Sequence, residues 1–271
     1  MTVDTEAMPG PEVTPEGGAL YREVLLDEEL RALRVEFCAT VTDQLGSIAG
    51  WLGIDSLIGA GDVVDPSSAP AEPDAKRYAA FRGASAVVEM AAELAAAVKY
   101  ELEAERRYAA ASLVRQLIEA EYLLRAFVDD ISRAAEWYRA SPDDIRKCFM
   151  PKTMRPLGGF SDYEYWTHCD QGGHPAPQGA RLLRFGVHAP LQEDTVITAS
   201  MWGDFAQHLG RVWWAVHELL ATHHARFATV RAQQIAQVDA IGTRWRDADP
   251  LSRPIDFALI NEIAAGATNE V

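Results

Sequence analysis

The chain has 271 residues, 48% of them hydrophobic and 24% charged, with a formal net charge of −15. It is long enough to bury a sizeable core, and no apolar run approaches the roughly 18 residues that a membrane span needs, so no membrane partner is expected. The N-terminus is acidic and rich in Pro and Gly rather than basic and then apolar, so it does not read as a secretory signal. Together with three scattered cysteines, Cys38, Cys148 and Cys169, this points to a reducing, cytoplasmic setting.

The acidity is concentrated at the front. Residues 1–75 carry 15 Asp/Glu against three Arg, whereas the segments Arg146 to Arg184 and Phe205 to Arg246 are mildly basic. Nucleic acid therefore stays open as a partner.

In chain order, residues 1–18 lack an apolar period and are expected to be a disordered acidic tail. From 19 to 61 the apolar residues Val24, Leu25, Leu30, Leu33, Phe37 and Val41 recur at helical steps, until glycines at 46, 50, 53 and 59 thin the signal. A Pro/Ser-rich loop is expected over 62–75. Two long helices follow, over 78–107 and 109–139, and Ser141-Pro142 starts a short one as an N-cap with Pro in the first turn. The stretch 150–192 reads as a Pro/Gly-rich loop insert with one short helical piece near Asp162 to Cys169. A last long helix is expected from about Thr198 to Trp245, and residues 248–271 form a C-terminal extension. The reading is all-α: a main bundle over 76–247, with four or five long helices and one extended insert.

The densest chemistry lies in Tyr165-Trp166-Thr167-His168-Cys169-Asp170-Gln171-Gly172-Gly173-His174-Pro175. His168, Cys169, Asp170 and His174 are all fit to ligate a metal, but consecutive side chains on a helix fan about 100° apart and cannot converge on one ion. No metal and no cofactor is expected here. The alternative makes His168, Asp170 and His174 polar members of a pocket. On the preceding helix, Arg115 and Glu119 stand one turn apart and can pair, and Glu121 falls on the apolar stripe of Leu117, Leu124 and Val128, where its carboxylate needs a partner. On the last helix Arg211 and His217 match the spacing of metal-independent ribonucleases, in which the histidine moves a proton and the arginine holds phosphate. Trp202, Trp213 and Trp214 are core or interface anchors, so the Trp-rich last helix offers a face for a homodimer.

The Arg115, Leu117, Glu119 motif and the later Tyr165 to His174-Pro175 segment resemble a family of uncharacterised bacterial helical proteins that pair these motifs. That family is in turn similar to the HEPN superfamily, nucleotide-binding helical bundles that include ribonuclease toxins and defence effectors. The resemblance spans residues 110–185. It implies a polar pocket of Arg115, Glu119 and His174, RNA as a partner, and Arg211 with His217 as the catalytic pair. A non-catalytic binding or scaffold protein and a metal-dependent hydrolase are the alternatives.

Overall fold

The structure is a computed structural model and describes residues 14–59, 72–175, 177–183 and 194–252. The protein is all-α, with no strand among the described residues. Four long helices make the bundle: α2 (Glu28–Gly59), α3 (Glu72–Glu103), α4 (Arg107–Asp129) and α10 (Asp194–His223). Each packs on the next in sequence, and α10 closes the ring against α2. One apolar core runs through all four, with Phe37, Leu45, Val88, Val98, Leu117, Phe127, Phe205 and Leu219 buried. α1 (Pro15–Leu26) lies on α10, α5 (Ser132–Arg139) on α3, and α12 (Ala232–Ala248) on α2.

Several expected boundaries move. Residues 15–18 are not tail but the first turn of α1, capped by Thr14, whose hydroxyl accepts from Gly17 N at 3.1 Å. Residues 1–13 lie outside the described residues, as does most of the expected 62–75 loop, while α3 already begins at Glu72. Helix α2 runs through Gly46, Gly50 and Gly53 without a break. Isolated helix glycines cost about 1 kcal/mol each, and here the bare backbone of Gly53 leaves room for Ser85 on α3, whose hydroxyl binds the Ala49 carbonyl at 2.9 Å.

The helix expected over 109–139 divides at Asp130, which accepts from Ser132 N at 2.9 Å and Ser132 Oγ at 2.7 Å, a side-chain turn that competes with the helical ladder. The last helix also divides, into α10, the short α11 (Ala225–Val230) and α12. The insert is not mainly loop in its described part. It follows the expected short helix α6 (Pro142–Cys148) and folds as α7 (Pro151–Met154), a tight helical turn over Arg155–Gly158, α8 (Asp162–His168), a wide π-type turn over Cys169–Gly173 and α9 (Pro177–Ala180). Of the C-terminal extension, only the short turn up to Ser252 is described.

A buried ion pair ties three of these parts together. Arg34 on α2 binds Asp249, just past α12, at 2.6 Å through Nε and 3.0 Å through Nη2, and donates to the carbonyls of Val24 and Leu25 on α1. Asp249 also accepts from Trp245 Nε1 and Leu251 N. The tryptophans are largely consumed within the chain. Trp202, Trp213 and Trp245 are buried, and Trp214 stacks parallel to Trp245 under Arg246. The expected dimer face on the last helix is therefore mostly core, because these rings bury more apolar area inside one chain than a surface position would allow.

Candidate functional site

Two glycines bring the insert onto the bundle. A Cβ at Gly172 would lie 2.5 Å from the Ala111 and Ser112 backbone, and one at Gly173 would lie 2.9 Å from Arg115 Cδ. Only a bare backbone allows this approach, and Ser112 Oγ secures it by donating to the Gly172 carbonyl at 2.8 Å. The contact seats α8 against α4, and from there its Glu164 and His168 side chains reach Arg211 and Asp204 on α10.

Six ionisable side chains from three helices meet there. Glu164 and His168 stand one turn apart on α8, Asp204, His208 and Arg211 lie along one face of α10, and Glu121 points in from α4. His168 Nδ1 bonds the Glu164 carbonyl at 2.8 Å, and its Nε2 meets the Asp204 carboxylate at 3.0 Å. His208 Nδ1 lies 2.9 Å from Glu121 Oε2. Its Nε2 is buried and has no hydrogen-bond partner, with Asp204 and Glu164 oxygens at 3.7 and 3.8 Å. Arg211 is bound in two-pronged fashion by Glu164 and lies 3.4 Å from Glu121 Oε1.

Burial sets the charges. Glu121 and His208 are each about 1% exposed. Desolvation, reinforced by the charges of Glu164 and Asp204 against the pull of Arg211, raises the Glu121 carboxyl to about 8. Desolvation and Arg211 together push His208 down to about 3. Burial also opposes charge on His168, but the facing Asp204 outweighs it and lifts the imidazole to about 9. Burial disfavours the Asp204 carboxylate as well, yet His168, His208 and Arg211 hold it below the usual range. At neutral pH the cluster is thus electroneutral: Arg211 and the His168 imidazolium balance Glu164 and Asp204.

His168, Asp204 and His208 each present a ligand atom, all within 4.8 Å of one another. Adjustments of about 1 Å would bring them to the roughly 3.4 Å edge of a tetrahedron with 2.1 Å bonds. The far ring nitrogens are already held, one by a backbone carbonyl and one by a carboxylate, as metal-bound histidines require. His168 and Asp204 also line a pocket of about 720 Å³ between α1, α10 and the insert, with Tyr21, Met201 and Gln207 on its walls.

The residues singled out from the sequence do not all converge. Glu121, His168 and Arg211 belong to this cluster. Arg115 and Glu119 form a second, half-buried group: they pair at 2.8 Å, and Arg115 also donates to the Tyr165 hydroxyl at 3.1 Å and to Cys169 Sγ at 3.3 Å. Asp170 is exposed on the wall of the pocket. His174 is exposed too and bonds to no other described residue, although its neighbour Gly173 touches Arg115. His217 points elsewhere, to Asp239 on α12 at 3.6 Å, so α10 does not bring it together with Arg211. Six residues along a continuous helix rotate a side chain by about 120° away.

Sequence reasoning missed Glu164, Asp204 and His208. A signal was present in the paired spacings Glu164 to His168 and Asp204 to His208, each one helical turn. Comparison with models of known protein families, with curated proteins and with solved structures finds no match to this chain.

Proposed function

We propose that the chain is a metal-dependent enzyme of the hydrolase class, with His168, Asp204 and His208 as the ligands of a divalent transition metal. The observation that carries this reading is His208 Nε2: a buried imidazole nitrogen with no partner, aimed at a second histidine and a carboxylate. Leaving such an atom unsatisfied costs about 1–3 kcal/mol, a cost that a bound ion would remove. Two imidazoles and one carboxylate suit Zn²⁺, Fe²⁺ or Mn²⁺, and three protein ligands leave a position for water or substrate.

The pocket beside His168 and Asp204 is of the size that takes a small molecule. When bound, the metal would polarise a substrate oxygen and lower the pKa of its water. Glu121 would orient His208 through Nδ1, the Glu164 carbonyl would orient His168, and Arg211 would hold the Glu164 carboxylate at the edge of the ligand set. RNA cleavage through Arg211 and His217 would need both groups on one phosphate, whereas Arg211 is engaged by Glu164 and His217 faces Asp239.

The test is calorimetric titration of chelator-treated protein with Zn²⁺, Mn²⁺ and, without oxygen, Fe²⁺, followed by assays on ester, amide and phosphodiester substrates. One ion per chain, lost in His208→Ala and Asp204→Asn, is the expected result. A folded protein that takes up none of these ions would leave the cluster as a purely structural charge network and end the proposal.

A further inference from the structure

A second cavity lies between α3 and α5, beside the C-terminal end of α10. Helices α3 and α5 touch at Gly83, where a Cβ would lie 2.2 Å from the Ala134 carbonyl oxygen. Next to this contact the facing residues are small, and a recess of about 650 Å³ opens between the two helices. Ala80, Phe81, Ile131 and Ala135 line it with apolar surface, and Ala79, Ala80 and Ala135 form an apolar cluster separate from the main core.

The charged residues on its walls are of one predominant sign. Among the described residues of its walls, Lys76, Arg77 and Arg139 are exposed beside one carboxylate, Glu136, on a chain whose net charge is −15. Arg77 sits 5.8 Å from the centre of the Phe81 ring, so its guanidinium lies where the apolar lining ends. His223 adds a further polar edge: its Nε2 is bound to the Val128 carbonyl at 2.8 Å, which leaves Nδ1 as the ring's other hydrogen-bonding atom.

We propose that this cavity binds a small amphipathic anion, a monocarboxylate with a medium-chain or aromatic body. The apolar lining would take the hydrocarbon, and the cations would take the carboxylate, for which the planar guanidinium of Arg77 offers paired donors. Volume and lining match those of small-molecule sites, in which an apolar wall supplies affinity and a few polar groups fix orientation. Charge decides between classes of ligand, because the exposed Arg77 guanidinium at the mouth attracts a carboxylate and repels an amphipathic amine of the same length.

The experiment is calorimetric titration of the full chain with sodium decanoate, and with decyltrimethylammonium as the cationic control. Decanoate should bind saturably at one site per chain and the cation should not. Arg77→Glu, a change at an exposed position, should weaken decanoate at least tenfold, and Ala135→Phe should abolish binding by filling the recess. Circular dichroism checks that both variants remain folded, and Arg77→Glu suffices if Ala135→Phe is unstable. Absence of decanoate binding, equal binding of the cation, or binding unchanged in folded Arg77→Glu would each overturn the assignment.

Discussion

The rings of His168 and His208 meet edge to face, with centroids 4.9 Å apart and planes at 85°. They come from different helices, and the Asp204 carboxylate lies next to both Nε2 atoms, at 3.0 Å from His168 and 3.7 Å from His208. In the metal-free protein, Glu121 and His168 each hold a proton at neutral pH that a metal-bound cluster would give up. Binding of a divalent ion is therefore expected to release about two protons and leave the total charge unchanged. Affinity should rise by up to about 100-fold per pH unit below about 8, more gently between 8 and 9, and level off above 9. Glu121→Gln should cut the release to about one proton and cost roughly 10- to 100-fold in affinity, because the amide has no acidic proton to give and orients His208 less firmly. Calorimetry in buffers of different ionisation enthalpy counts the protons; a count near zero in the parent protein would contradict this scheme.

Without metal, the two histidines should titrate in opposite senses. His168, raised from 6.5 to about 9, contributes stability that is fully present below pH 6.5 and is lost as the pH climbs through 9. His208, lowered to about 3, works the other way: between pH 6.5 and 3 the unfolded chain takes up a proton that the folded one refuses, so stability falls as the pH drops. Glu121, raised from 4.5 to about 8, makes the folded state less favourable as the pH rises across that window. Nitrogen-resolved imidazole spectra at pH 7 should show His168 protonated on both nitrogens and His208 neutral. The alkaline fall in thermal midpoint between pH 6.5 and 9 should be reduced in His168→Asn.

The Arg34–Asp249 pair gives a prediction about the scaffold itself. Both side chains are within 1% of complete burial, and Arg34 is the link between α1, α2 and the end of α12. Removing one partner leaves the other charged in an apolar interior, which costs roughly 3–5 kcal/mol. Arg34→Met and Asp249→Leu should each lower unfolding free energy by about that amount in urea denaturation, while the double change should recover much of the loss. Equal and additive losses would mean that packing, and not the charge pair, dominates at this position.

The sequence exposes the bundle more readily than the site, for physical reasons. Apolar steps of three and four residues reveal α2, α3, α4 and α10 because burial of one face imposes that period. The glycines of α2 mislead because their cost is local, whereas the helix is held by its packing on α3. Within the site, Glu121 is legible because a carboxylate interrupts an apolar stripe, and His168 because its segment is dense in polar groups. Asp204 and His208 sit among Trp202, Phe205 and Leu209 on a helix that looks like plain core, and their role depends on a partner helix 36 or more residues away in the chain. The Arg211 and His217 spacing shows the opposite error, a local pattern that the helix turns onto two different faces.

Gly172 offers the sharpest link between local backbone and site. A methyl group there would meet the Ala111 carbonyl carbon and the Ser112 nitrogen at 2.5 Å, and both are fixed helix backbone that cannot rotate aside. Gly172→Ala must therefore push the turn at 169–173 off α4 and weaken the Ser112 Oγ bond to the Gly172 carbonyl. Overpacking of this kind costs roughly 1–3 kcal/mol. The displacement reaches the cluster because α8, which carries Glu164 and His168, runs directly into that turn, whereas Asp204 and His208 are anchored separately on α10. The variant should stay folded, with a modestly lower thermal midpoint, yet show a larger change at His168 than at His208 in imidazole spectra and weaker metal binding. Gly179→Ala is the matched control: its Cβ would meet the Tyr108 ring and the Gln171 carbonyl at 2.7 Å, a comparable clash farther along the insert. If both variants lose stability alike but only Gly172→Ala disturbs the His168 signals, the turn sets the geometry of the site; if neither disturbs them, α8 is held in place by the ion pairs of Glu164 and His168 alone.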